Sequence, residues 1–199
     1  MKYVLASGNA GKLREMRAIL EQCGVEVVSQ KEAGFYEEVE ETGTTFYENA
    51  KIKAAAACRA LNMPAISDDS GIEVYALGGE PGVYSARYAG ENKTDEERNR
   101  YLLEKMKDKT ERGARYVSAI VCVFPNGDEI SAEGYCEGEL LYEGRGDGGF
   151  GYDPLFYLED YKMTMAEISA EEKNKISHRG RALEIFKGKL TEYPKRNGE

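Results

Sequence analysis

Hydrophobic positions fall in two rhythms along this chain of 199 residues. "KYVLAS" (2–7) is a short apolar run of strand character, and the turn-forming "GNAGK" follows it. From there Leu13, Met16, Ile19 and Leu20 recur at helical spacing, and Gly24 offers a stop. "VEVVS" (25–29) predicts a second strand. Strand, tight loop, helix and strand in this order predict an α/β protein. "TFYE" (45–48) has the Thr-x-x-Glu form of a capping box. The Ala-rich "NAKIKAAAACRAL" behind it predicts a helix whose buried stripe is Phe46, Ala50, Ala54, Cys58 and Leu61. "NMP" ends that helix, and "AIS" predicts a strand ending at "SDDSG" (67–71).

The second half alternates in the same way. "TDEE" (94–97) and "SAEE" (169–172) are two more capping boxes, opening the helix "ERNRYLLEKMK" and preceding a last helix in "SHRGRALEIF". "YVSAIVCVF" (116–124) is almost continuously apolar, which predicts a strand covered on both faces. Asn126-Gly127 in "PNGDE" signals a type I′ hairpin, with "EISAEGYCEGEL" as the returning strand. The glycine-dense "GRGDGGFGYDP" (144–154) leads into "LFY". The tail "TEYPKRNGE", from about residue 190, is expected to fray. With no repeat and no linker, residues 1–199 are expected to form a single domain.

Composition narrows the function. The net charge of −9 argues against nucleic acid as a partner, because such binding rests on clustered Lys and Arg. It leaves a small anionic ligand open, since screening at roughly 8 Å lets local cations decide. The cysteines Cys23, Cys58, Cys122 and Cys136 lack metal-ligand spacing and are expected to be reduced thiols of a cytoplasmic protein. "MKYVLAS" is too short an apolar run for a signal peptide, and no segment is expected to span a membrane. His178 is the single histidine, which removes HExxH proteases and any site with two His ligands.

Four stretches offer chemistry. "SGNAGK" (7–12) lies between strand and helix, where backbone amides and the helix dipole favour a phosphate. Gly8 and Gly11 permit close approach and Lys12 supplies a point charge; the alternative is a plain turn with a surface lysine. It is not a Walker A loop, which needs Gly at Ala6 and Ser or Thr at Leu13. Asp68 and Asp69 sit at the predicted strand end, where adjacent side chains take opposite faces, so one serves a site and the other structure. Glu38, Glu40 and Glu41 precede the second helix; Glu41 with Asp69 suits Mg²⁺, which takes one or two carboxylates plus water and phosphate oxygens. Phe150 and Tyr152 on their glycine scaffold suit stacking on a planar base, with Asp153 as acceptor, or packing beneath the loop. Lys173, His178 and Arg179 gather at a helix entrance.

In order and spacing, "SGNAGK", "ETGTTFYENA", "SDDSG", "PGVYSARY", "GGFGYDPLF" and "EKNKISHRGRA" resemble the inosine triphosphate pyrophosphatase family over residues 1 to about 185. Ser67 stands where the family pattern has Ala. The resemblance implies an elongated two-lobed α/β fold with a long central mixed sheet flanked by helices and the active site in the cleft between lobes. It implies a homodimer and Mg²⁺-dependent cleavage of a nucleoside triphosphate, between the α- and β-phosphorus atoms, to monophosphate and pyrophosphate. On matching motifs, Ser7, Gly8, Asn9, Ala10, Gly11 and Lys12 hold the triphosphate. Asp69 is the catalytic carboxylate and Ser70 touches substrate. Phe150, Gly151, Tyr152 and Asp153 line the base pocket with Lys173, His178 and Arg179, and hypoxanthine and xanthine are the preferred bases. Lys12, Lys173 and Lys53 offset the substrate charge. The competing readings are a pyrophosphatase for modified pyrimidine or methylated guanine nucleotides, and a nucleotide-sensing module without turnover.

Overall fold

The computed structural model describes residues 2–22 and 24–196. Its strands are β1 (Lys2–Leu5), β2 (Glu26–Ser29), β3 (Ala65–Val74), β4 (Gly113–Val123), β5 (Glu129–Leu140), β6 (Phe156–Leu158) and β7 (Met163–Thr164). The helices are α1 (Ala10–Gln22), α2 (Phe46–Leu61), α3 (Asp95–Lys105), α4 (Ala170–Ile176) and α5 (His178–Arg196). The strands form one mixed sheet in the order β2-β1-β3-β4-β5-β6-β7. β1 pairs in parallel with β2 and β3, while β6 pairs antiparallel with β5 and β7. This is the mixed, helix-flanked α/β sheet that the hydrophobic rhythm and the family resemblance imply. Two compact units make up the chain, one from Met1–Asp69, Ser118–Gly134 and His178–Glu199, the other from Ser70–Val117 and Tyr135–Ser177.

In the first unit, strand alternation builds two cores. Tyr3 and Leu5 of β1 pack with Met16 and Leu20 of α1, Ile120 and Cys122 of β4, and Leu183 and Phe186 of α5. Val4 and Ala6 turn the other way, onto Ala57 and Cys58 of α2. Covering both faces is what a parallel sheet requires. The capping box of α2 is formed, with Thr45 and Glu48 each receiving the other's backbone N–H, and Asn62 ends the helix in the left-handed region. Asn49 joins the buried stripe of α2, whereas Leu61 is only partly buried.

The second unit has a core of Ile72 and Val74 from β3, Tyr116 from β4, Leu140 from β5, Phe156 from β6, Leu102 from α3 and Met106 at its C-cap. Thr94 and Glu97 form the capping box of α3. Gly71 lets this core close: a Cβ there would collide with Ser85 and the Gly82 carbonyl. Ser85 Oγ instead accepts the Ile72 N–H at 2.9 Å. At Ser169 the side chain accepts the Glu172 N–H, but the Glu172 carboxylate turns to Tyr161 and Lys175.

Three expectations need correction. β3 does not end at the aspartates; it continues through them to Val74. The hairpin at Asn126-Gly127 is not type I′, which needs positive φ at both central residues. Pro125 sets its own φ negative, and only Gly127, at φ 91°, enters the left-handed region there. The loop closes through Gly127 N–H to Phe124 O at 2.9 Å and Phe124 N–H to Asp128 O at 3.0 Å. The tail is helical beyond 190, because α5 runs to Arg196; residues 197–199 lie outside the described residues. Its anchor is Tyr193, stacked on Phe124 with centroids 4.0 Å apart, its hydroxyl bonded to Asp128 at 2.9 Å.

Cys58, Cys122 and Cys136 are free and buried, while Cys23 lies outside the described residues. Among the described residues no helix is long and apolar enough to cross a membrane. Replacing Tyr193→Ala removes both the stack and the hydroxyl bond. Urea unfolding followed by far-UV circular dichroism is expected to show a loss of about 2 kcal/mol. An unchanged midpoint would mean that the end of α5 contributes nothing to stability.

Candidate active site

The alternation along β3 sorts the two aspartates. Ile66 faces the core under α1 and α5, and Ala65 faces α2. By the same period Asp68 belongs to the α1/α5 face and Asp69 to the α2 face, and their partners agree. Asp68 is fully buried. It receives Ser118 Oγ at 2.6 Å, Lys12 Nζ at 2.8 Å and Arg179 Nε at 3.3 Å. Arg179, itself 1% exposed, also pairs with Glu15 of α1. Burial raises the Asp68 pKa, but the Arg179 and Lys12 charges outweigh it and hold the carboxyl well below the usual range.

Asp69 meets α2. Asn49 Nδ2 donates to its Oδ2 at 3.3 Å, Lys53 Nζ lies 3.4 Å from its Oδ1, and Lys12 Nζ stands at 4.0 Å. Lys53 also pairs with Glu41 at 2.6 Å, whereas Glu40 is exposed. Burial pushes the Asp69 carboxyl up, beyond what Lys53 and Lys12 draw down, and Glu41 and Asp68 add to the rise. Lys53 is desolvated too, yet Asp69 and Glu41 outweigh this and raise its pKa. The two directions agree once charges are compared: Lys53 faces several carboxylates, and Asp69 shares its cations with them.

Glu41 and Asp69 thus converge on one cationic point, now the Lys53 ammonium. Two hard carboxylate oxygens about one point fit what Mg²⁺ asks of a protein, water and phosphate oxygens completing its shell. Among the described residues no group of three or more His, Cys, Asp and Glu is arranged to hold a metal. The loop before α1 is shaped by Asn9, which caps the helix. Its Oδ1 accepts the Gly11 and Lys12 N–H groups at 2.9 and 3.1 Å, while Ser7 Oγ accepts the Asn9 N–H. Ala10, Gly11 and Lys12 belong to the first turn of the helix, and Gly8 is exposed. A hollow of about 950 Å³ beside α2, lined by Lys51, Ile52, Arg59 and Phe124, holds none of these aspartates.

In the second unit the glycine loop is organised by Asp153, buried at 3% exposure. Its Oδ2 accepts Lys173 Nζ at 2.6 Å and the Phe150 N–H at 2.9 Å, and its Oδ1 accepts Tyr116 Oη at 3.2 Å. Lys173 lies 4.6 Å from the Phe150 ring centroid. Tyr152 packs in the core and donates its hydroxyl to Ser85 O at 2.8 Å. Gly151 follows Phe150 in the turn, and Ser70 lies in β3 directly after Asp69. His178 is buried at the start of α5. Arg179, which the resemblance puts in the base pocket, pairs with Asp68 and Glu15, the partners that its buried charge needs.

Sequence reasoning missed Asn49, Glu15, Ser118 and Tyr116. Asn49 carried a signal, a polar residue on the apolar stripe of α2 and four residues before Lys53. Glu15, Ser118 and Tyr116 meet their partners across the fold and left none.

A family model described as the Ham1 family matches residues 3–189. The dITP/XTP pyrophosphatase of Desulforamulus reducens is 51% identical over 185 residues, covering 92% of each chain. That of Bacillus anthracis is 48% identical over 196 residues, covering 96% of this chain and 97% of its own. Among solved structures, the Staphylococcus aureus Ham1 protein superposes with a TM-score of 0.88 at 43% identity, covering 97% of this chain and all of that one.

Asp68→Asn tests the division between the aspartates. It leaves the buried Arg179 and the half-buried Lys12 beside a neutral partner, and breaking a buried pair from one side costs about 3–5 kcal/mol. A steep fall in the unfolding midpoint is expected; a stability equal to that of the unaltered protein would contradict a structural role for Asp68.

Proposed function

This chain belongs to the Ham1 family, and on that premise we propose that it hydrolyses non-standard purine nucleoside triphosphates, ITP, XTP and their deoxy forms, to the monophosphate and pyrophosphate. The observation that carries the chemistry is a charge imbalance. Lys12, Lys53 and Arg179 face four carboxylates, Glu15, Glu41, Asp68 and Asp69. A triphosphate set against this cluster alone meets a net negative charge, so the site suits a polyphosphate that arrives with a divalent cation. A module that only binds nucleotides gains nothing from Asp69.

Glu41 and Asp69 would hold Mg²⁺, which when bound supplies Lewis-acid stabilisation of phosphate charge and a water of lowered pKa. The chain's own residues do the rest. The N-terminus of α1, fixed by Asn9, offers partial positive charge to an anion. Lys12, reaching both aspartates, is the cation nearest that terminus. Asp69 orients the attacking water and takes its proton, and Asn49 holds the carboxylate from its other oxygen.

In the second unit, Phe150 supplies a face for a planar base, and Lys173 supplies a donor beside it. The Lys173 donor suits a purine with a 6-keto acceptor, whereas adenine presents a donor at that position. The reading includes a homodimer in the cytoplasm; buried free thiols at Cys58, Cys122 and Cys136 are in keeping with a reducing compartment.

Purified protein given ITP is expected to release one pyrophosphate per nucleotide in Mg²⁺ buffer and none after chelation. Asp69→Asn is expected to keep the fold and lose at least about 100-fold in turnover. Intact ITP after prolonged incubation with the folded protein, or release of orthophosphate in place of pyrophosphate, overturns the proposal.

A further inference from the structure

Gly151 stands in the turn between Phe150 and Tyr152 with a φ of 65°, and α3 grips it by both of its peptide planes. Asp95 Oδ2 accepts the Gly151 N–H at 2.7 Å, and Asn99 Nδ2 donates to the Gly151 carbonyl at 3.0 Å. The first contact fixes the plane shared with Phe150, the second the plane shared with Tyr152. These planes turn about φ and ψ of a residue that has no Cβ to restrict them. Four residues apart, Asp95 and Asn99 lie on one face of a capped helix, and Arg98 pairs with the other Asp95 oxygen.

On its α3 side the loop borders open space. A hollow of about 520 Å³ borders Asp95, Asn99, Leu103, Gly146, Pro154 and Leu155. Two hydrogen bonds therefore stand where side chains would otherwise back the turn. Asn99 bears a penalty for its part: its Oδ1 is buried without a hydrogen-bond partner, which is unfavourable. Turning the carboxamide over would set that oxygen against the Gly151 carbonyl. The orientation retained is the one that serves the loop.

We propose that Asp95 and Asn99 are positioning residues for base recognition, holding the direction of Phe150 beside Lys173 without touching substrate. This rests on the pyrophosphatase reading above. The test compares KM for ITP with the inhibition constant of inorganic tripolyphosphate, which has phosphates and no base. Asn99→Asp keeps the side-chain shape and loses the donor. It is expected to raise KM for ITP about tenfold, to lower the preference for ITP over ATP, and to leave tripolyphosphate inhibition within about twofold.

Asp95→Ala is expected to repeat that pattern, and Asp95→Asn, which keeps an acceptor for the Gly151 N–H, to restore it toward the parent value. Should Asn99→Asp fail to fold, the two Asp95 variants decide alone. Equal changes in both constants, or no change in either, overturn the inference while the parent enzyme still turns over ITP. A parent protein that leaves ITP intact overturns the function and this inference together.

Discussion

A carboxylate with no exposure to solvent organises the first unit. Asp68 lies on β3, and its partners come from α1, β4 and α5: Lys12, Ser118 and Arg179. Taking such a charge out of water is costly unless cations and hydrogen bonds surround it. Three separate stretches of chain must therefore arrive in register before the interior is tolerable. The apolar contacts of α1 and α5 with the sheet stabilise the same arrangement, but they tolerate shifts that a buried ion pair does not.

The neighbouring aspartate draws its character from that choice. Because strand side chains alternate, fixing Asp68 toward α1 and α5 commits Asp69 to α2, where Lys53 serves Glu41 as well. Asp69 is left with less than a full share of positive charge, and its carboxyl is pushed up. An under-compensated carboxylate is one that a further cation would stabilise. Two adjacent residues of identical type thus sit in opposite electrostatic surroundings.

Much of this was legible in the residues themselves. The capping boxes at Thr45–Glu48 and Thr94–Glu97 form as their spacing requires, since a cap depends on a few neighbouring residues. The near-continuous apolar run of β4 is buried on both faces. What misled was polarity inside a strand: Ser67, Asp68, Asp69 and Ser70 resemble a strand end, yet β3 continues because cations and hydroxyls from elsewhere meet them. Tyr152 and Arg179 likewise have partners that lie far off in the sequence. A tyrosine in a glycine loop resembles a stacking platform until Ser85 O is seen to take its hydroxyl, and a terminal arginine resembles surface charge until a carboxylate 111 residues away claims it. Tyr193 is the same lesson for the tail, whose anchor Phe124 is remote in sequence.

The discontinuity of the first unit bears on biosynthesis. Its last segment begins at His178, so a nascent chain that has displayed β1, α1 and β3 outside the ribosome still lacks the guanidinium that neutralises Asp68. Until that segment emerges Asp68 has Lys12 as a partner but lacks Arg179, and its burial costs more. Completion of the acidic centre thereby waits on a segment translated long after the strand that carries it.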